Sequence, residues 1–217
     1  MSARFDALSR IGPVARPLLE RVDEVLVAYG APPGHPIWAH LRRLGTTPAD
    51  AVAFFVDGNP APLRAAAERL RAQAEAYRAT PVPTEVRWEG STADIYAARA
   101  TALRGHAEVM TGRLGATAFY VDEVATWWDE SRTALAVALA EVLTSTQAIT
   151  VTSGGAAVTT ETLVAAADVG AHVLAAVAAA HDDGQGLLRG GADLGELAFV
   201  PPADPARRVD ATIDLHH

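Results

Sequence analysis

Cysteine is absent from the 217 residues, which excludes disulfides, thiolate metal sites and a cysteine nucleophile together. Lysine is absent as well: all 18 basic side chains are arginine, set against 26 acidic ones for a formal charge of -8. An acidic chain with no basic block argues against nucleic acid or anionic membrane surfaces as main partners. Residues 1–18 carry Arg4, Asp6, Arg10 and Arg16 and lack the continuous apolar core of a secretory signal. No run is read as the ~20 apolar residues that cross a bilayer, so no transmembrane segment is expected. What the chain has in quantity is hydrophobic side chains, at 50% of residues, enough for a sizeable core. Arginine in place of lysine, with abundant alanine and valine, fits a high-GC genome such as an actinobacterium's.

Residues 1–57 read as a helical prefix. Pro17 suits a first-turn position, and Leu18, Leu19, Val22, Val25, Leu26 and Tyr29 recur at helical spacing until Gly30 and Pro32-Pro33-Gly34 end the pattern. A second short helix is expected over residues 36–44. A third is strongly signalled, with Thr47 as N-cap, Pro48 at the first helical position and Asp50 in the first turn, ending at Asp57-Gly58.

Two longer helices follow. Over residues 59–78, Leu63, Leu70 and Tyr77 fall seven apart with Ala66, Ala67 and Ala74 between, until Pro81 and Pro83 stop the helix. Residues 91–147 contain no proline and carry two sevenfold series. One is Tyr96, Leu103, Met110 and Val124, interrupted by Thr117; the other is Leu114, Val121, Trp128, Leu135 and Val142. Gly105 and Gly112 mark either a face where another helix comes close or a kink, and close approach is the preferred reading.

Ile149-Thr150-Val151-Thr152 alternates as a strand does, and Ser153-Gly154-Gly155 supplies a turn, so a small β-hairpin is expected near 148–159. A last helix, capped by Thr159 or Thr160, runs to about His181. Residues 184–217 read as a mostly mobile tail, with Leu187-Leu188 and Leu197-Ala198-Phe199-Val200 as docking segments. The expected organisation is thus all-α, in four parts: prefix 1–57, an elongated antiparallel helical hairpin 58–147, β-hairpin plus helix 148–183, and tail 184–217.

Between the two long helices stands Val86-Arg87-Trp88-Glu89-Gly90-Ser91-Thr92-Ala93-Asp94. Gly90 permits an unusual backbone angle, Ser91 with Asp94 reads as an N-cap with an acidic capping box, and Trp88 is a large apolar anchor at the corner. A helix opening Asn59-Pro60, a Trp-x-Gly bend and a second helix opening Ser91-Thr92-Ala93-Asp94-Ile95-Tyr96 resembles the WxG (ESAT-like) family of type VII (ESX) secretion substrates. The resemblance covers residues 58–143. It implies a non-enzymatic helical hairpin that pairs with itself or with a small helical WxG-like partner. It also implies export by the type VII secretion ATPase without a cleavable signal peptide, from a cytoplasmic pool. The family's export signal, a tyrosine followed four positions later by an acidic residue, has no match, since Tyr120 is followed at that spacing by Val124 and Tyr96 by Ala100. Alternatives are a delivery or interaction module of a secreted toxin or immunity system, and a small α-helical ligand-binding protein or enzyme with a pocket at His106 and Glu123.

No catalytic, cofactor or metal site is expected. His35 with His40, and His172 with His181, are spaced wrongly for a metal face, and Ser153-Gly154-Gly155 lacks the flanking pattern of a nucleophile elbow. Asp122-Glu123 and Asp129-Glu130 read as a solvated stripe answered by Arg132 or Arg113. Residues assigned to the bend are Trp88, Gly90 and Ser91. Those assigned to an interface are Tyr96, Leu103, Met110, Val121, Trp127 and Trp128, with Trp127 and Trp128 otherwise covered by the prefix or the last helix.

Overall fold

The computed structural model describes residues 6–81, 89–153 and 158–195, with side chains as far as Gly191. Every element among them is helical: α1 (Ala7–Tyr29), α2 (Ile37–Leu44), α3 (Pro48–Asp57), α4 (Ala61–Ala79), α5 (Ser91–Leu143), α6 (Thr146–Ser153) and α7 (Thr160–Gly195). The chain divides into two compact units, Met1–Arg64 with Asp122–Arg189, and Ala65–Val121 with Gly190–His217. These cut across the four parts read from the sequence, because α5 contributes residues to both.

In the first unit α1 begins at Ala7, ten residues ahead of the expected Pro17 start, because Asp6 caps it, accepting the Ser9 N–H at 2.8 Å. Pro13 and Pro17 lie within the helix on its exposed side, while Leu8, Ala15, Leu18, Leu19, Val22 and Val25 form the buried stripe. α1 packs on α3 and α6. Gly12 permits the first contact, since a Cβ there would stand 2.7 Å from Val56 Cγ2. α3 has the expected Thr47 cap, and Asp23 of α1 reaches across to accept the Ala49 N–H at 3.2 Å. The deepest core joins Leu19, Ile37, Leu139, Val151, Val173 and Leu174. Gly170 lets α7 come close, because a Cβ there would lie 2.8 Å from Ile37 Cδ1.

The expected strand at 149–152 is helix. Ser145 accepts the Ala148 N–H at 3.1 Å, opening α6, which turns away from α5 by 65°. Ala148 and Val151, three apart, go into the core, whereas Ile149 is 64% exposed; a strand would have put Ile149 and Val151 on one face. Thr150, Thr152 and Ser153 return their hydroxyls to carbonyls four residues back, satisfying them within the helix. The remainder of the proposed hairpin, 154–157, lies outside the described residues.

The last helix also differs from expectation. Thr159 caps it, its hydroxyl accepting the Thr162 N–H at 3.2 Å and sharing a hydrogen bond with the Thr162 hydroxyl at 3.0 Å, and the helix continues past His181 to Gly195. Two of its glycines are contact points and not breaks: a Cβ at Gly184 would meet Trp127 at 2.8 Å, and one at Gly191 would meet Tyr120 at 2.5 Å. By length and composition α7 is also apolar enough to cross a membrane over Thr160–Gly191, with 56% of its most apolar window buried inside the protein. That burial is the behaviour of a core helix.

The second unit is closed on small side chains. Ala67 and Ala74 are buried on α4, and Ala93, Ala100 and Ala118 on α5, while Leu63 at the end of the first unit and Leu70 and Tyr77 here are only half-buried. α5 runs unbroken through Gly105, Gly112 and Gly115, and no described residue lies within 4 Å of a Cβ built at any of the three. Neither a break in the helix nor a close approach by a described helix explains them.

Candidate interaction site

Two arrangements stand out around α5. The first is centred on Arg132, which is 5% exposed. Its guanidinium takes both oxygens of Asp6, with Nη2 donating to Oδ1 at 2.9 Å, and donates to Ser9 Oγ at 2.9 Å. Nη1 meanwhile donates to the carbonyls of Phe55 and Gly58 at the end of α3. Arg132 therefore ties the first turn of α1 to the last turn of α3, and does not answer the acidic stripe. Asp129 of that stripe pairs with Arg64 instead. The guanidinium beside Asp6 holds its carboxyl down at about 2. Asp23 shifts the other way: burial pushes its carboxyl up, against the Ala49 N–H that favours the charged form, and its Oδ1 is buried without a hydrogen-bond partner among the described residues.

Next to Arg132 lies an aromatic corner. Trp128 packs on Phe54 and Phe55 with ring centres 5.3 and 5.4 Å away, and Trp127 meets Trp128 at 5.6 Å. Trp127 donates its indole N–H to the Ala180 carbonyl at 2.8 Å, and Gly58 fits under the Trp128 ring, where a Cβ would be 1.9 Å away. Both tryptophans are thus engaged by α3, its C-cap Gly58 and α7 within the first unit. Phe54 remains 62% exposed at the edge.

The second arrangement is the amino-terminal half of α5. Ile95 is 64%, Tyr96 38% and Leu103 56% exposed, while Met110 and Val121 are half-buried. The expected seam is inverted here. Alanines take the buried positions, while Tyr96 and Leu103 stand outside. At the bend, Gly90 has φ +107 and its carbonyl accepts the N–H groups of Ala93 at 2.9 Å and Asp94 at 3.2 Å. Gly90 therefore holds the capping position expected of Ser91, which becomes the first helical residue. Trp88 lies outside the described residues.

A third feature escaped sequence reading. His35 Nδ1 lies 3.3 Å from the Ile37 N–H that it accepts, and its Nε2 faces Asp168 Oδ1 at 3.1 Å. One turn along α7, His172 Nε2 lies 2.8 Å from Glu141 Oε2. Glu141, Ser145, Gln147, Asp168 and His172 line a groove of about 240 Å³ with Val142 and Val169. His35 and Asp168 are 133 positions apart, and no local pattern links them. Among the described residues no three His, Asp or Glu side chains are placed to hold a metal ion. His106, half-buried on α5, is not part of this groove.

Comparison with protein-family models, with curated proteins and with solved structures found no match to this chain.

Proposed function

We propose that this protein is a non-enzymatic helical protein of the WxG type, handled by a type VII secretion system and working through helix-face contacts with a second copy or a small helical partner. The observation that carries the reading is the exposed pair Tyr96 and Leu103, seven apart on one face of α5, in a unit closed on alanines. Large apolar side chains outside a folded unit are the usual anchors of a helix-in-groove interface. Support comes also from the helices α4 and α5 on either side of Trp88 and Gly90, in the order that the family resemblance implies. In this reading the two helices form the hairpin, the ATPase recognises the chain or its partner, and the partner brings the acidic export signal that this sequence lacks.

Light scattering and co-purification with the products of neighbouring genes test the proposal. The expected result is a dimer or a heterodimer, weakened at least tenfold by Leu103→Glu with helix content unchanged, about 1.4 kcal/mol of association energy. A strictly monomeric protein, retained in cells whose type VII machinery works, overturns it.

A second reading, a small ligand-binding protein, is favoured by the groove at Glu141, Asp168 and His172. It calls for a small polar ligand whose binding is lost in Asp168→Asn; calorimetry with a metabolite mixture that shows no heat removes it.

A further inference from the structure

The groove between the end of α5, the start of α6 and the middle of α7 has walls of two kinds. Val142 and Val169 are buried and form its floor, while Glu141 and Asp168 stand exposed at its rim, one on each long helix. Its volume of about 240 Å³ corresponds to roughly eight waters at the density of the liquid. All of these residues belong to the first unit.

The two rim carboxylates are partnered unlike others in the chain. Asp6, Glu24, Glu75, Asp129 and Asp182 each pair with an arginine, whose charge is permanent. Asp168 instead meets His35 through Oδ1, and Glu141 meets His172 through Oε2. The second oxygen of each carboxylate accepts no hydrogen bond from a described residue. Although the chain has 18 arginines, none lines the groove. The groove also opens at the carboxyl end of α5, just after Leu143, where the helix dipole is negative and favours a cation. Ser145 donates its hydroxyl to the Val142 carbonyl and accepts the Ala148 N–H, so it offers no free donor to an anion.

We propose that this groove binds a short aliphatic diamine, one ammonium taking the open oxygen of Glu141, the other that of Asp168, and the methylenes lying on Val142 and Val169. Two carboxylates carried on separate helices call for two cations, and an apolar floor between them calls for a hydrocarbon spacer, since a charge is poorly placed against buried valines. His172 holds Glu141 one turn along α7 from Asp168, about 6 Å of helix rise, so a spacer of a few carbons fits. A monoamine satisfies one end only. The proposal rests on the ligand-binding reading of this groove and names its ligand; the helix-face contacts of Tyr96 and Leu103 are independent of it.

Calorimetry of the full chain with putrescine, butylamine and succinate, at neutral pH and low salt, tests it. Putrescine is expected to bind one to one, butylamine at least tenfold more weakly, and succinate to give no heat. Glu141→Gln and Asp168→Asn are each expected to weaken putrescine at least tenfold with circular dichroism unchanged. Glu161→Gln, in the first turn of α7 and outside the groove, is expected to leave it as it was. No heat from putrescine overturns the proposal, and so does equal affinity for butylamine, a comparison that needs no variant. An equal loss in Glu161→Gln overturns it too, because it assigns the attraction to the charge of -8 on the whole chain. Heat from succinate without heat from putrescine removes the diamine and keeps the ligand-binding reading, whereas a metabolite mixture that gives no heat removes both.

Discussion

Arg132 of α5 and Asp6, the cap of α1, stand 126 positions apart and meet as a two-pronged ion pair beneath the end of α3. The same guanidinium satisfies the Phe55 and Gly58 carbonyls, which the last turn of a helix otherwise leaves open. Three helices are therefore registered by one side chain. Arg132→Met, which keeps much of the volume, is expected to cost about 3 kcal/mol, because carbonyls and a carboxylate lose their partner at once. Arg132→Lys should recover only a minor part, since an ammonium cannot reproduce the planar fork. Denaturant titration of the two variants measures both figures.

Two aspartates give opposite slopes to stability against pH. Asp6 sits at about 2 in the folded chain against 3.8 as its ordinary value, so its contribution is present above 3.8 and drains away as pH falls toward 2. Asp23 is raised by burial, so the folded chain takes up that proton more readily than the unfolded one, and stability declines as pH rises from 3.8 through the raised value. Asp6→Asn should flatten the acid end of a melting-temperature profile. Asp23→Asn should steepen it, with little or no loss at pH 7. Thermal melts from pH 2 to 7 supply the profile.

Glycine-to-alanine substitutions separate contact glycines from open ones. Gly184→Ala and Gly58→Ala place a methyl group inside the Trp127 and Trp128 rings and should destabilise by about 1–3 kcal/mol, the usual cost of overpacking. Gly186→Ala and Gly105→Ala meet no described atom and should each stabilise the helix by up to about 1 kcal/mol. Melting temperatures of the four variants decide it; a stabilising Gly184→Ala would remove Trp127 as the reason for that glycine.

Ser145→Ala removes the hydroxyl that opens α6 and is expected to cost about 1 kcal/mol. Ser153→Ala, at the end of the same helix with its hydroxyl bonded back to Ile149, should be near neutral. A difference of less than about 0.3 kcal/mol between the two would mean that α6 is held by Ala148 and Val151 alone.

Local chemistry told most of what the sequence could tell. α2, α3 and α4 appear within a residue or two of expectation because Thr47-Pro48, Asn59-Pro60, Gly45 and Pro81 act on their immediate neighbours. The Leu135 and Val142 part of the second sevenfold series is buried as expected. Failures arose where distant residues decide. The run 149–152 alternates like a strand, yet Ser145 and the core at Val151 draw it into a helix. The glycines after His181 look like breakers until Trp127 and Tyr120 are placed against them. The buried positions of the amino-terminal half of α5 go to Ala93, Ala100 and Ala118, outside the sevenfold series of large residues, because periodicity finds a face without saying how near the next backbone lies. Of the residues assigned to an interface, Trp127 and Trp128 are taken up inside the first unit, and Tyr96 and Leu103 remain outward.

The glycine seats of α7 have a consequence for the order in which the fold opens. Gly184, Gly186, Gly190, Gly191 and Gly195 crowd the last twelve residues of the helix, and each lowers helix stability by roughly 1 kcal/mol relative to alanine. The stretch before them holds one glycine, Gly170, packed against Ile37, and encloses Val169, Val173 and Leu174. Amide hydrogens beyond Gly184 should therefore exchange with solvent far earlier than those near Leu174, in a sub-global opening that unseats Tyr120 while the core of the first unit stays shut.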